Sequence, residues 1–378
     1  MIEEAYRSNL KNVRRLVVKV GTSILTYATG RLNLERMERL VRELAGLANA
    51  GYQVILVTSG AVGAGMGRLG LKERPRTMPE KQAAAAVGQG LLMHMYEKFF
   101  SEYGRVVAQI LLTKEDLADR RRYLNARHTL GALLRLGVVP VINENDTVAV
   151  DEIRVGDNDT LSALVAGLAD AELLVLLTDI DGLYTADPQH DPEATLIPLV
   201  EEITPEIEAL AGGRGSRWSV GGMQTKLQAA RLATSFGIPM VITSGLEAGR
   251  LAAILAGKRV GTLFLPKEHR LHARKKWLAY CPPAPGLIKI DPGAERAILN
   301  EGKSLLPSGI IEVVGDFGQG AVVSVVTVEG KEIAKGMVNY PAEDIRRIQG
   351  RKTGEIVEIL GYKDYDEVIH RDNLVILV

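Results

Sequence analysis

The chain has 378 residues, more than one small domain needs and enough to bury a substantial core. Its 46 basic and 46 acidic residues cancel, so no overall field draws it to nucleic acid or acidic membranes, although a local basic patch is not excluded. The single cysteine, Cys281, rules out an internal disulfide and any multi-cysteine metal site.

The opening MIEEAYRSNLKNVRR has no apolar core of signal-peptide length. No apolar run approaches the roughly twenty residues of a membrane span. A soluble, cytoplasmic protein without a membrane partner is expected. The first apolar run is RLVVKV (15–20), which sets Lys19 between Val18 and Val20 with Gly21 directly after it. A strand-end lysine can snorkel to water. If buried, as these neighbours favour, it needs an anionic partner. YQVILVT (52–58) leads into Ser59, Gly60, Gly63, Gly65 and Gly67. Such glycines let backbone N–H groups approach an anion, or let elements pack closely. Gly65, Gly67 and Gly70 spell G-x-G-x-x-G, but too far from the strand end for a dinucleotide turn. Close packing accounts for Gly63 to Gly67 and leaves the Ser59–Gly60 elbow unexplained.

A long helical pattern runs from Glu80 to about Tyr103, followed by the strand-like VVAQILL (106–112). Residues 113–128, TKEDLADRRRYLNARH, are densely charged, and an oligomer or regulatory role is expected there. VVPVI (138–142) ends in Asn143, Glu144, Asn145 and Asp146, which suggests substrate contacts at the carboxyl end of a buried strand. Asp157, Asn158 and Asp159 then precede Leu161, Leu164, Val165 and Leu168 at helical spacing. Asn158 or Asp159 alone suffices to cap a helix over 160–169. The surplus makes sense if Asp159 holds Lys19 and a second lysine, while Asn158 faces a substrate. ELLVLL (172–177) ends in Thr178, Asp179 and Asp181, without calcium-loop spacing, which would lie beside a nucleotide.

SVGGMQTKLQAARLA carries the strongest signal. Gly221 and Gly222 precede a helix whose first turn holds Thr225 and Lys226. Helix N-termini favour negative charge by about 0.3–1 kcal/mol, so a lysine there points to a docked phosphate. It is no Walker A loop, and Gly302–Lys303–Ser304 lacks the leading glycine and the preceding strand. PMVITS (239–244) closes the series of apolar runs. The six histidines are scattered without metal-protease spacing or a serine partner, so metal hydrolysis and acyl-serine chemistry drop out.

These runs are continuous rather than alternating, and helical stretches separate them. The fold class is therefore α/β, a three-layer αβα sandwich on a mostly parallel sheet, with ligands beyond the carboxyl ends of the strands. Near Leu265 the sequence turns basic and then proline-rich, which marks 266–283 as a linker. From 284 to 378 short alternating strands predict a small, mostly β domain, with a hairpin turn at Glu329–Gly330.

Taken together, KVGTSIL, VTSGAVGAG, INENDTV, GDNDTLSALVA, LLTDIDGLYTADP and GGMQTKLQAA closely resemble the amino acid kinase family. GLIKIDPGAERAI, GKSLLPSGI and GDFGQG make 284 to about 362 resemble a PUA domain. That order of domains is similar to the bacterial branch of the family that phosphorylates glutamate. The resemblance implies a kinase domain over 1–265, a linker over 266–283, and a PUA-like domain with a C-terminal extension over 284–378. It implies transfer of phosphate from ATP, with Mg²⁺ held mainly by the ATP phosphates, to the side-chain carboxylate of L-glutamate in the first step of proline synthesis.

Carried over residue by residue, Lys19 and Lys226 contact the transferring phosphate and Asp159 organises them. Ser59, Gly60, Asp146 and Asn158 match glutamate contacts. Gly21, Thr178, Asp179, Val220, Gly221, Gly222, Met223, Gln224 and Thr225 match ATP contacts beside the two lysines. The family is typically oligomeric and inhibited by proline. Two alternatives stand: a family member with another acceptor (aspartate, acetylglutamate, carbamate or a nucleoside monophosphate), or an RNA-binding or RNA-modifying protein. Arg346, Arg347, Arg351 and Lys352 supply a basic cluster for the second, although zero net charge argues against nucleic acid as the main partner.

Overall fold

The computed structural model describes residues 2–27, 29–71, 73–149, 158–188, 190–210, 222–266 and 286–377. These divide into two compact units, one from residues 1–116 and 124–270, the other from 117–123 and 271–378. The proposed linker lies outside the described residues except for Pro266.

Eight strands form the sheet of the first unit: β1 Arg15–Val20, β2 Gln53–Val57, β3 Val107–Leu112, β4 Val139–Glu144, β5 Leu173–Thr178, β6 Leu199–Val200, β7 Met240–Ser244 and β8 Thr262–Phe264. Their order is β3-β4-β2-β1-β5-β7-β8-β6, and every pairing is parallel except β7 with β8. Each of the six apolar runs coincides with a strand to within two residues at either end. The sequence reading missed β6 and β8, which at two and three residues are too short to show a pattern. In register, Lys19 lies between Val57 of β2 and Leu176 of β5. The strand order changes direction around β1, the kind of switch point where open α/β sheets bind ligands.

Among the described residues eleven helices accompany the sheet: α1 Ile2–Asn9, α2 Thr22–Leu25, α3 Leu34–Asn49, α4 Ala61–Leu69, α5 Met78–Glu102, α6 Lys114–Ala118, α7 Arg120–Arg135, α8 Asn158–Leu168, α9 Pro205–Leu210, α10 Met223–Ser235 and α11 Arg250–Leu255. Residues of α3, α5 and α11 share one core with Leu16, Val18, Val54 and Leu56. Side chains alternate across a strand, so Val17, Lys19, Ile55 and Val57 face the other layer, where α8 packs with α10. Nine of the eleven residues of α8, from Asp159 to Leu168 except Thr160, are buried, which explains its almost uniformly apolar sequence. Arg7 of α1, itself buried, donates to the carbonyls of Pro198 at 2.8 Å and Val260 at 3.0 Å, tying the amino-terminal helix to the region around β6 and β8.

The glycine-rich segment after β2 proves to be helix. Gly60 is its N-cap at φ 95°, a conformation that favours glycine, and Gly65 and Gly67 lie within α4. A Cβ on Gly65 would fall 1.8 Å from the carbonyl oxygen of Ala84, and one on Gly88 1.8 Å from that of Ala61. These two glycines let α4 and α5 cross backbone to backbone. The charged stretch 113–128 is mainly helical, spanning α6 and the start of α7.

The second unit holds a five-stranded sheet, β9 Gly286–Ile290, β10 Ile310–Gly315, β11 Val322–Val326, β12 Glu332–Met337 and β13 Leu374–Ile376, ordered β10-β9-β11-β12-β13. Strands β11 and β12 form the expected hairpin, with Gly330 at φ 84° in its turn. Ile288, Ile290, Val323, Val325 and Tyr340 anchor its core against helix Ala342–Ile348.

Gly88→Ala should destabilise the first unit by about 1–3 kcal/mol, because the added methyl group meets a backbone oxygen that cannot rotate away. Urea unfolding measures this, and a midpoint equal to that of the unsubstituted chain would contradict the close helix crossing.

Candidate active site

Asp159, in the first turn of α8, is fully buried. Its Oδ1 lies 2.5 Å from Nζ of Lys19, and its Oδ2 lies 3.3 Å from Nζ of Lys226. The Thr225 hydroxyl stands 3.0 Å from the same Oδ2 and 2.9 Å from the Gly222 carbonyl oxygen. One carboxylate thus binds the central strand and the first turn of α10 together. Both lysines are less than one-tenth exposed. Burying an ammonium group costs several kcal/mol unless a counter-charge meets it, and here one anion serves two cations. Both ammonium groups meet this carboxylate close to the N-terminus of α10, where the helix dipole adds positive potential. Backbone N–H groups at such a helix start favour negative charge.

Gly21 follows Lys19 and donates its N–H to the Leu177 carbonyl oxygen at 3.2 Å. A Cβ at Gly21 would lie 3.9 Å from Nζ of Lys19, within ordinary contact of the ammonium group. At the end of β5 the buried Thr178 hydroxyl donates to Asp179 Oδ1 at 2.9 Å. Asp181 accepts from Arg250 at 3.3 Å. Gly222 is the N-cap of α10, followed by Met223, Gln224 and Thr225 in its first turn. Val220 and Gly221 lie outside the described residues.

Asn158 stands beside Asp159 but faces elsewhere. Its Nδ2 donates to the Thr58 carbonyl at 2.7 Å, to Ser59 Oγ at 3.0 Å and to Asn143 Oδ1 at 2.8 Å. The sequence reading offered Asn158 or Asp159 as a helix cap. Both instead lie inside the first turn, with side chains committed to other strands, and residue 157 is outside the described residues. Among the described residues, Asn158 Oδ1 is buried without a hydrogen-bond partner. Half-buried Asp146 sits in the turn after β4.

Beneath this loop the sequence reading missed two residues. The Tyr96 hydroxyl lies 2.8 Å from Thr58 Oγ1, and burial pushes its pKa well above the usual phenol value, so it stays protonated. Gln89 accepts from Asn143 Nδ2 at 2.8 Å. Both residues are carried by α5, where neither spacing nor composition distinguishes them from other positions on a long helix.

All the placed candidates thus gather at the carboxyl ends of β1, β2, β4 and β5 and at the start of α10. A cavity of about 490 Å³, bordered by Tyr6, Leu10, Val13, Glu172 and Pro239, lies at the opposite, amino-terminal ends of the strands, away from these residues. In the second unit, Arg346 donates to the carbonyls of Val313 and Gly315, and Arg347 to that of Ile359. Half of the basic cluster is therefore occupied with its own domain.

Comparison with known proteins fits this geometry. Residues 14–244 match the amino acid kinase family, a span that holds the whole ion cluster. The chain belongs to the amino acid kinase family. Residues 286–360 match the PUA domain. The amino acid kinase from Moorella thermoacetica named glutamate 5-kinase is 72% identical over 377 residues, covering 100% of both chains. The glutamate 5-kinase of Carboxydothermus hydrogenoformans is 59% identical over 372 residues, covering 98% of this chain and 100% of its own.

Asp159→Asn should lower stability by about 3–5 kcal/mol, because it removes the charge shared by two buried ammonium groups. Denaturant unfolding at neutral pH measures this, and an unchanged midpoint would show that the ion cluster carries no structural weight.

Proposed function

We propose that this amino acid kinase transfers the γ-phosphoryl group of ATP to the side-chain carboxylate of L-glutamate, giving γ-glutamyl phosphate and ADP, the first step of proline biosynthesis. The observation that carries the reading is the pair of buried ammonium groups sharing Asp159, beside an acceptor pocket of neutral amides. The names of the two relatives point to the same acceptor.

The chemistry asks little of acid–base catalysis. A glutamate carboxylate is already ionised at neutral pH, so one of its oxygens attacks the γ-phosphorus directly. An oxygen–phosphorus bond forms, the bond to the ADP oxygen breaks, and no proton moves. Alignment and charge neutralisation supply the rate. Lys19 and Lys226 are the catalytic residues of this reading: Nζ of each offsets charge on the transferred group, from opposite sides of a fixed carboxylate. Asp159 is a positioning residue, which keeps the two cations oriented when no phosphate is present. Ser59, Gly60, Asp146 and Asn158 hold glutamate. Gly21, Thr178, Asp179 and residues 220–226 hold ATP.

Bound Mg²⁺ would neutralise further charge on the phosphates. Among the described residues no group of three or more His, Cys, Asp or Glu side chains gathers to hold an ion. Both oxygens of Asp159 face lysines, so we assign the Mg²⁺ ligands mainly to the phosphate oxygens. We extend the proposal to L-proline as feedback inhibitor, to a homo-oligomer in which 113–128 takes part, and to a cytoplasmic location. Among the described residues no helix is long and apolar enough to cross a membrane.

A coupled ADP assay over glutamate, aspartate, acetylglutamate, carbamate and UMP tests the acceptor. Glutamate should be the sole strong one, and strong turnover of another with none for glutamate would overturn the reading. Lys226→Ala should reduce kcat by about a hundredfold or more in a chain that still folds, since Asp159 keeps Lys19 as counter-charge. Near-normal turnover would remove Lys226 from catalysis. Asp146→Ala should chiefly raise the KM for glutamate, and an unchanged glutamate saturation curve would remove Asp146 from the acceptor pocket.

A further inference from the structure

Gln89 of α5 ends a chain of amides whose orientations are fixed by backbone groups. The Glu144 N–H can only donate, so the Asn143 atom 2.9 Å from it is the oxygen. The Thr58 carbonyl can only accept, so the Asn158 atom facing it at 2.7 Å is the nitrogen. That nitrogen also meets the Asn143 oxygen at 2.8 Å. Asn143 therefore turns its own nitrogen to Gln89, which must answer with Oε1, at 2.8 Å. The orientations of all three amides follow, without appeal to which way each happens to be drawn.

Among the described residues, this network ends in two buried atoms without hydrogen-bond partners: an acceptor, Asn158 Oδ1, and a donor, Gln89 Nε2. Buried polar groups are normally satisfied, so a donor and an acceptor orphaned on one network call for a ligand bearing the opposite pair. An α-amino acid carries that pair on one carbon, an anionic carboxylate and a cationic ammonium group. Its side-chain carboxylate remains available to attack the phosphoryl group that Lys19 and Lys226 would hold.

We propose that Gln89 is a substrate-binding residue, donating from Nε2 to the α-carboxylate of the acceptor amino acid while Asn158 Oδ1 accepts from its α-ammonium group. This deepens the glutamate reading and rests on it. It also explains why the network uses amides: an Asp or Glu in place of Gln89 would repel the group it is to hold. Gln89 then selects for an acceptor with a free α-carboxylate, independently of the phosphate-binding lysines.

Two full-length variants separate this role from support of Asn143. Gln89→Glu keeps an oxygen for Asn143 Nδ2 but replaces the free donor with an anion; Gln89→Met removes both. The expected result is a glutamate KM raised about tenfold or more in Gln89→Met, the loss of one hydrogen bond to a charged group. Gln89→Glu should raise it further, with the KM for ATP unchanged in both. A wild-type glutamate KM in Gln89→Glu would overturn the proposal and leave Gln89 as a support for Asn143. Equal rises in the KM for glutamate and ATP would overturn it as a general packing defect. If Gln89→Met fails to fold, Gln89→Glu carries the test alone. Absence of glutamate-dependent ADP release by the unsubstituted chain would instead defeat the parent reading, so the two failures are distinct.

Discussion

One buried carboxylate between two buried ammonium groups fixes much of this molecule. Lys19 sits in the central strand, Asp159 in the first turn of α8, and Lys226 in the first turn of α10. None of the three is comfortable by local rules. A lysine inside a strand, an aspartate on a helix buried nearly all round, and a lysine at the positive end of a helix each cost free energy. The fold tolerates them because they meet. A well-packed apolar trio of similar size often stabilises a chain as well, so the ions fit the phosphate chemistry proposed above better than a purely structural role.

Asn158 and Asp159 turn this cluster into a junction. They are adjacent in sequence, and neighbouring positions on a helix point about 100° apart. Asp159 faces β1 and α10, where phosphate chemistry is proposed; Asn158 faces the ends of β2 and β4, where the amides wait. The first turn of α8 therefore sets the distance between the acceptor and the phosphate lysines. Its rigidity comes from the burial of nearly every side chain from Asp159 to Leu168. The close glycine crossing of α4 and α5 brings Tyr96 and Gln89 under the same loops, so packing far from the reacting atoms bears on the acceptor pocket.

Much of this was legible in the residues. The long strands were, because a strand covered on both faces writes a continuous apolar run, and the lysines were, because each violates a local preference. β6 and β8 were not, being too short to carry a pattern. Gln89 was not, because a glutamine on a long helix reads as a solvated position until the fold shows it bonded to Asn143. The helix-cap reading of Asn158 and Asp159 gave way to tertiary demand: a capping side chain and one that reaches another strand look the same in sequence. Residues 220 and 221 remain expectations, since they lie outside the described residues.

In the proposed reaction the two ammonium groups close on the transferred phosphoryl group from either side of Asp159. A crystal structure with ADP, Mg²⁺, glutamate and aluminium fluoride tests it most directly, because the planar fluoride mimics that group in flight. Nζ of Lys19 and Nζ of Lys226 should each lie within about 3 Å of a fluorine, with Asp159 still between them. A fluoride centre bound with either nitrogen turned away from it would contradict the account.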